Sequence, residues 1–253
     1  MARGPACWPS ALRCWRPAPR PSPEADAVGT PRVPDDAPAF PIWHVRVVDT
    51  GGALVRVSLV QSDRHADGTA LTVPEAEAGS EEAAGVVAVA HLTDGLVSRL
   101  EVTADAAPKA PPLWFVEVPE PEPASGPPAT SIVAFTGGDV EETALLTVRQ
   151  AQHHGIQSAE QVGAFRWIPH SGFGDQLYVA PSWRRRTIGT GLLAAGGVLS
   201  LARGWPRPWG DGQRTAEGDR MRQVARWAHL SQELTHLMPP MTPFEERGDA
   251  PPR

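Results

Sequence analysis

Arg184, Arg185 and Arg186 stand directly before Thr187-Ile188-Gly189-Thr190-Gly191, and an alanine- and leucine-rich run continues to Arg203. The pattern reads as a basic turn feeding a helix. The first amides of a helix have no partner within it, and its aligned peptide dipoles favour negative charge at that end. Glycine lets the backbone approach a phosphate without an intervening side chain, and guanidinium groups add charge-assisted bonds to phosphate oxygens. Diphosphate binding is the chemistry these residue types suit. A tight strand-to-helix connection with a solvated basic run is the alternative. Two other phosphate sites do not fit. Gly189, Gly191 and Gly196 lack the Gly-x-Gly-x-x-Gly spacing of a dinucleotide site, and the chain has no Gly-Lys-Ser/Thr.

Other candidates lie nearby. Asp175, on the strand entering the turn, is placed to take a proton from an incoming amine, directly or through water. A hydrogen-bonded turn aspartate is the alternative. His170 sits at a hairpin tip, and His153-His154 has adjacent rather than helix-face spacing, which does not suit a metal. Asp211 or Thr215 is placed to cap a last helix, with Arg214 beside it.

Beyond the arginine turn, basic residues cluster only at the amino terminus of this chain, whose formal net charge is −6 with Lys109 as the single lysine. That is not the continuous positive surface of a nucleic-acid binder. The two cysteines, Cys7 and Cys14, cannot make a four-ligand zinc site. No apolar window reaches membrane-spanning length, so no membrane partner and a cytoplasmic location are expected.

The run Leu177-Tyr178-Val179-Ala180-Pro181-Ser182-Trp183-Arg184-Arg185-Arg186-Thr187-Ile188-Gly189-Thr190-Gly191-Leu192-Leu193 resembles the signature of the GNAT superfamily of acyl-CoA N-acyltransferases. The match runs without a gap from Val179 through Pro181, Trp183, Arg184, Arg186, Ile188 and Gly189 to Leu192-Leu193, and is strongest over Gln161–Thr215. The resemblance implies acetyl-CoA, or another acyl-CoA, as co-substrate and an unknown amine as acceptor. It implies that Tyr178 and Val179 line the pantetheine arm. The amides of Arg184, Arg185, Arg186, Thr187, Ile188, Gly189, Thr190 and Gly191 would then hold the diphosphate. Asp175, by its place on the entering strand, is the candidate proton acceptor. Three departures stand out: Thr187 replaces the usual first glycine of the turn, Tyr178 is the only tyrosine, so the usual acid of a later helix is missing, and little chain remains for closing strands.

The elements that must position these residues divide the chain. Residues 1–40, rich in proline, arginine and alanine, read as a disordered tail. A β-rich region over 41–118 carries apolar runs at Ile42–Val48, Ala53–Val60, Ala70–Val73, Gly85–Leu92, Leu96–Val102 and Leu113–Val118, expected as an antiparallel meander. Asp94-Gly95 is its best hairpin signal. Residues 119–130, alternating proline, glutamate and small residues, read as a linker or long exposed loop. A GNAT-like domain is expected over 131–245 and a disordered tail over 246–253. Within that domain the patterns predict a strand at Ser131–Phe135, a helix at Val140–His153, paired strands at Gln161–Ile168 and Asp175–Val179, a helix at Gly189–Arg203 and a last helix at Thr215–His229. Arg207–Trp209 is the expected next strand. The fold class is α+β, a mixed sheet flanked by helices in the carboxyl-terminal half behind a β-rich region. No internal repeat is visible in the sequence.

Overall fold

The computed structural model describes residues 42–49, 51–61, 63–65, 69–80, 85–121, 126–224 and 234–238. The fold is α+β with mixed sheets. The first sheet contains β1 (Ile42–Val48), β2 (Leu54–Gln61), β3 (Ala70–Pro74), β4 (Val86–Thr93) and β5 (Leu96–Val102), in the order β3-β1-β2-β4-β5. β1 pairs antiparallel with β2, β2 with β4 and β4 with β5, but β3 crosses back to lie parallel to β1. The expected meander is corrected at that strand. Alternation of apolar residues selects a face, not a neighbour. The Asp94-Gly95 turn has both residues at positive φ, 52° and 75°, as a two-residue hairpin loop whose twist matches its strands requires.

The second sheet contains β6 (Trp114–Glu120), β7 (Ala129–Phe135), β8 (Leu145–Thr147), β9 (Gly163–Ile168) and β10 (Phe173–Val179), in the order β10-β9-β7-β6-β8. β6 and β7 pair antiparallel as far as Glu120 opposite Ala129. The proline- and glutamate-rich stretch is therefore a hairpin connection within this sheet, not a boundary, and 122–125 lie outside the described residues. The helix expected over Val140–His153 is shorter. Leu145–Thr147 pairs parallel with β6, and α1 covers only Val148–His153. Thr147 caps it in a reciprocal box with Gln150, whose amide donates to Thr147 Oγ1 at 3.3 Å, so the cap sets the helix start where helical spacing alone did not.

The two sheets have the same topology. Strands one to five of each half follow one order, with the first pairing parallel to the third and the other pairs antiparallel. The repeat extends to an irregularity: the last hairpin of each half carries a bulge at the third residue of its second strand, Ser98 in β5 and Asp175 in β10. The halves are stitched where Leu100 donates to the Thr143 carbonyl and Thr143 to the Leu113 carbonyl, both at 2.7 Å.

The helix α2 (Ile188–Ala202) lies between the sheets. Its Ile188, Leu192, Val198 and Leu199 join one core with Val55, Val57 and Leu100 of the first sheet and Ile132, Phe165 and Trp167 of the second. A helix apolar on every side needs cover on every side, and two sheets supply it. It ends with Gly204 at φ 69°; Gly204 donates to the Leu201 carbonyl and Trp205 to that of Ser200. This is the paired C-terminal capping that a left-handed glycine permits. Arg203 then makes a two-point ion pair with Glu117 of β6. α3 (Ala216–Val224) is the described part of the expected last helix, and β11 (Gln213–Arg214) pairs parallel with β12 (His236–Leu237). The terminal tails, with Cys7 and Cys14, lie outside the described residues.

Candidate functional site

The β9–β10 hairpin presents the strand that enters the basic turn. Its register runs Phe173 opposite Ile168 and Gly174 opposite Trp167, then resumes at Gln176 opposite Arg166, leaving Asp175 as the extra residue. Ala180 donates to the Val162 carbonyl at 3.0 Å. Because paired and unpaired positions alternate along an antiparallel ladder, the peptide groups of Leu177 and Val179 turn away from β9, towards the outer edge. At the start of that edge Phe173 forms a single parallel bridge with Trp209, and Gly174 donates to the Trp209 carbonyl at 2.7 Å. The strand expected at Arg207–Trp209 thus amounts to one bridge. The next strand, β11, pairs with β12. Among the described residues no strand pairs with Leu177–Val179 on the outer side.

After β10 the chain makes a short 3-10 turn at Pro181–Trp183, and Arg184 follows in extended conformation. Arg185 then has φ 63° and Thr187 φ 54°, both left-handed. Neither is glycine, and Thr187 is β-branched, so two costly conformations occur within three residues. A chain that alternates the sign of φ curls successive N–H groups towards one side, as in anion-binding nests. Thr187 is the residue before the first turn of α2 and makes no side-chain cap to it. Its Oγ1 instead accepts a hydrogen bond from the Lys109 amide at 3.0 Å.

The three arginines are used differently. Arg184 folds back, its Nε donating to the outward-facing carbonyl of Val179 at 3.3 Å. Arg186 lies over the indole of Trp183, 4.7 Å from the ring centroid. Arg185 and Arg186 are exposed. Ile188, Gly189 and Thr190 are buried. A Cβ on Gly189 would come within 2.8 Å of Met221 Sδ and 3.6 Å of Val179 Cγ2, so α3 and β10 close that flank while the Arg184–Thr187 side stays at the surface. A cleft of about 660 Å³ adjoins the turn, with Ala159, Glu160 and Gln161 facing Ala180–Trp183.

Asp175 does not stand alone. Its Oδ2 is ion-paired with Arg166, which also reaches Glu120 Oε1 at 3.2 Å. Burial by itself would lower the Arg166 guanidinium, but the hydrogen bonds and charges of Glu120 and Asp175 outweigh it and hold it above its ordinary value. Tyr178 is half-buried on β10. His170 lies in the β9–β10 turn, and the rings of His153 and His154 meet edge to face with centroids 6.1 Å apart. Thr215 Oγ1 accepts from Gly218 N at 3.1 Å at the start of α3, while Asp211 accepts from Gln213 N at 3.0 Å. Of the two capping candidates, Thr215 therefore does the work. Arg214 pairs with Asp219 at 3.2 Å.

Sequence reasoning missed Lys109, Met221, and the Glu120–Arg166–Asp175 chain. Arg166, opposite Ser131 and immediately before the apolar Trp167–Ile168 pair, signalled a charge in a strand that needed a partner, but nothing in the spacing tied Lys109 to a turn far along the chain. Among the described residues no helix is long and apolar enough to cross a membrane, and no group of three His, Cys, Asp or Glu side chains is placed to hold a metal ion. The chain matches no protein-family model, no curated protein and no solved structure.

Proposed function

We propose that the protein is an acyl-CoA-dependent N-acyltransferase with a GNAT-like second half, binding the diphosphate of acetyl-CoA or a related acyl-CoA at Arg184–Gly191. One observation carries the reading. Two non-glycine residues, Arg185 and Thr187, are held at positive φ immediately before the uncapped first turn of α2. Left-handed backbone at such residues is stored where something depends on it, and an N–H array beside arginines suits a diphosphate. The outward peptide groups of Leu177 and Val179 suit the amide-bearing pantetheine arm.

In this reading the acceptor nitrogen attacks the thioester carbonyl, the carbon–sulfur bond breaks, and the acyl group ends on nitrogen. Outward strand amides polarise the carbonyl. The proton lost by the amine passes to water or to Asp175. The thiolate leaves without a tyrosine acid and is protonated by water, as the ordinary acidity of a thiol allows. Calorimetric titration with acetyl-CoA tests binding, and free-thiol release with a panel of amines tests turnover. Failure to bind acetyl-CoA at millimolar concentration rejects the reading.

The ion pair between Asp175 and Arg166 favours a second reading. With that carboxylate engaged and no tyrosine besides Tyr178, the chain would bind acyl-CoA without turning it over. Binding in the absence of thiol release selects this alternative.

A further inference from the structure

We propose that the first half of the chain acts as a clamp on the acyl-CoA turn, with Thr187 as the positioning residue through which it acts. The inference rests on the reading above and gives the first sheet a part in it. Thr187 sits at φ 54° and ψ 14°, a conformation that glycine adopts freely and a β-branched residue resists. Its hydroxyl accepts the Lys109 amide at 3.0 Å from a segment 78 residues earlier in the chain. That segment leaves β5, the last strand of the first half. It does more than touch the hydroxyl. A Cβ on Gly191 would meet Ala107 Cβ at 3.5 Å, Leu113 Cδ1 at 3.8 Å and Val102 Cγ1 at 3.9 Å, and Ala107 is 6% exposed. The first half therefore holds the start of α2 at two points, the side chain of residue 187 and the bare face of Gly191.

The consequence for binding is geometric. The N–H groups of Thr187 and Ile188 point where the backbone angles of Thr187 send them. Without the bond from Lys109, a threonine relaxes towards negative φ and those groups swing away from a bound diphosphate. Glycine at this position needs no such support; threonine makes the turn dependent on the first half. Because the donor is a backbone amide, the Lys109 ammonium is not required.

The test is the acetyl-CoA dissociation constant of the full chain and a substitution series at residue 187, each folded by circular dichroism. Thr187→Val, which keeps the shape and removes the acceptor, is expected to weaken binding by about tenfold or more. Thr187→Ser restores the acceptor and Thr187→Gly removes the need for it, so both are expected to bind within about threefold of the parent chain. Should the valine variant not fold, Thr187→Ala carries the same expectation of weaker binding. A folded valine or alanine variant that binds as tightly as the parent overturns the clamp while leaving the acyl-CoA site intact. A parent chain that does not bind acetyl-CoA overturns the site itself, and with it the clamp.

Discussion

The two halves of the molecule share a strand order, a bulge position and even a closing hydrogen bond, yet they end differently. Thr103 donates to the Val87 carbonyl at 3.1 Å after β5, as Ala180 donates to that of Val162 at 3.0 Å after β10. In each half the chain then turns in the same way, Ala106 donating to the Thr103 carbonyl at 3.1 Å and Trp183 to the Ala180 carbonyl at 2.8 Å, and beyond that turn they part. In the first half Thr103 Oγ1 turns back to the Val86 carbonyl at 3.0 Å, and the Thr103 carbonyl takes the amides of Ala106 and Ala107. The start of that exit is closed by local bonds, and the Lys109 amide further along it goes to Thr187 of the second half. In the second half the exit runs through three arginines and two left-handed residues into a helix with no side-chain cap. The same topology thus carries two different exits, and the proposed acyl-CoA binding rests on the few residues after the last strand rather than on the topology.

The largest expected effect separates these exits by charge. Arg185 and Arg186 are exposed, so Arg185→Glu with Arg186→Glu costs little stability, about 1 kcal/mol at most, chiefly from the lost contact of Arg186 with Trp183. It is expected to weaken acetyl-CoA binding by roughly a hundredfold or more, about 2.7 kcal/mol. The matching change in the first-half exit, Asp105→Arg, leaves binding unaltered. Equal effects from both, read by calorimetry, would erase the distinction between the exits.

Next in size is a contrast between neighbouring glycines of α2, which reports how the second sheet packs on the helix. A Cβ on Gly196 would lie 2.7 Å from Phe165 Cδ1, whereas one on Gly197 meets nothing within 4 Å. Phe165 is 3% exposed and stacked on Trp167 with centroids 5.1 Å apart, so it has little room to yield. Gly196→Ala is expected to destabilise by about 2 kcal/mol through overpacking. Gly197→Ala is expected to stabilise by about 0.5–1 kcal/mol through helix propensity. Denaturant unfolding of both variants checks the signs, and a stabilised Gly196→Ala would mean that the helix does not seat on Phe165 as described.

Much of this frame was readable from residue types. Each apolar run expected over 41–118 became a strand near its expected place, Arg207–Trp209 shrank to one bridge and Leu145–Thr147 became a strand where a helix was expected; the left-handed Asp94-Gly95 turn followed from two residues that tolerate it. Gly204 and Pro206 marked the end of α2. The neighbour relations were not readable. Leu145 and Val148 have helical spacing, and only the tertiary pairing with Phe115–Glu117 draws Leu145–Thr147 into the sheet. The repeat was hidden for a related reason. A strand requires alternation rather than identity, so of the paired last strands Leu100 and Leu177, Val102 and Val179 recur, while Ser98 faces Asp175 and Arg99 faces Gln176 in the equivalence. The arginine turn was legible as a basic strand-to-helix connection because its charge and glycines are local. Its hydrogen bond from the Lys109 amide was not, because that bond is long-range.

The bulge residues give the next comparison. Ser98 shares a 3.0 Å hydrogen bond with Thr93 Oγ1 across its own hairpin, whereas Asp175 neutralises Arg166. Asp175→Asn removes a charge from a partly buried pair while Glu120 remains on Arg166, so the expected destabilisation is about 1 kcal/mol. Ser98→Ala should cost less, about 0.5 kcal/mol. If Asp175 also takes the acceptor's proton, Asp175→Asn slows thiol release by at least about tenfold at unchanged acetyl-CoA affinity. An unchanged rate in a chain that does turn over would assign the proton to water and leave Asp175 as the counter-charge of Arg166 alone.

The smallest effect addresses the strain itself. Among the described residues no side-chain hydrogen bond supports Arg185 at φ 63°, unlike Thr187, whose hydroxyl is tied to Lys109. Arg185→Gly relieves the left-handed cost, and the looser unfolded chain offsets part of the gain, so a net stabilisation of about 0.5 kcal/mol is expected in thermal unfolding. Acetyl-CoA binding should weaken only about threefold, because the amide stays in place while one exposed charge is lost. A destabilised Arg185→Gly would show that the guanidinium, not the backbone, fixes this part of the turn. The difference between the two exits would then lie in side chains rather than in the curl of the chain.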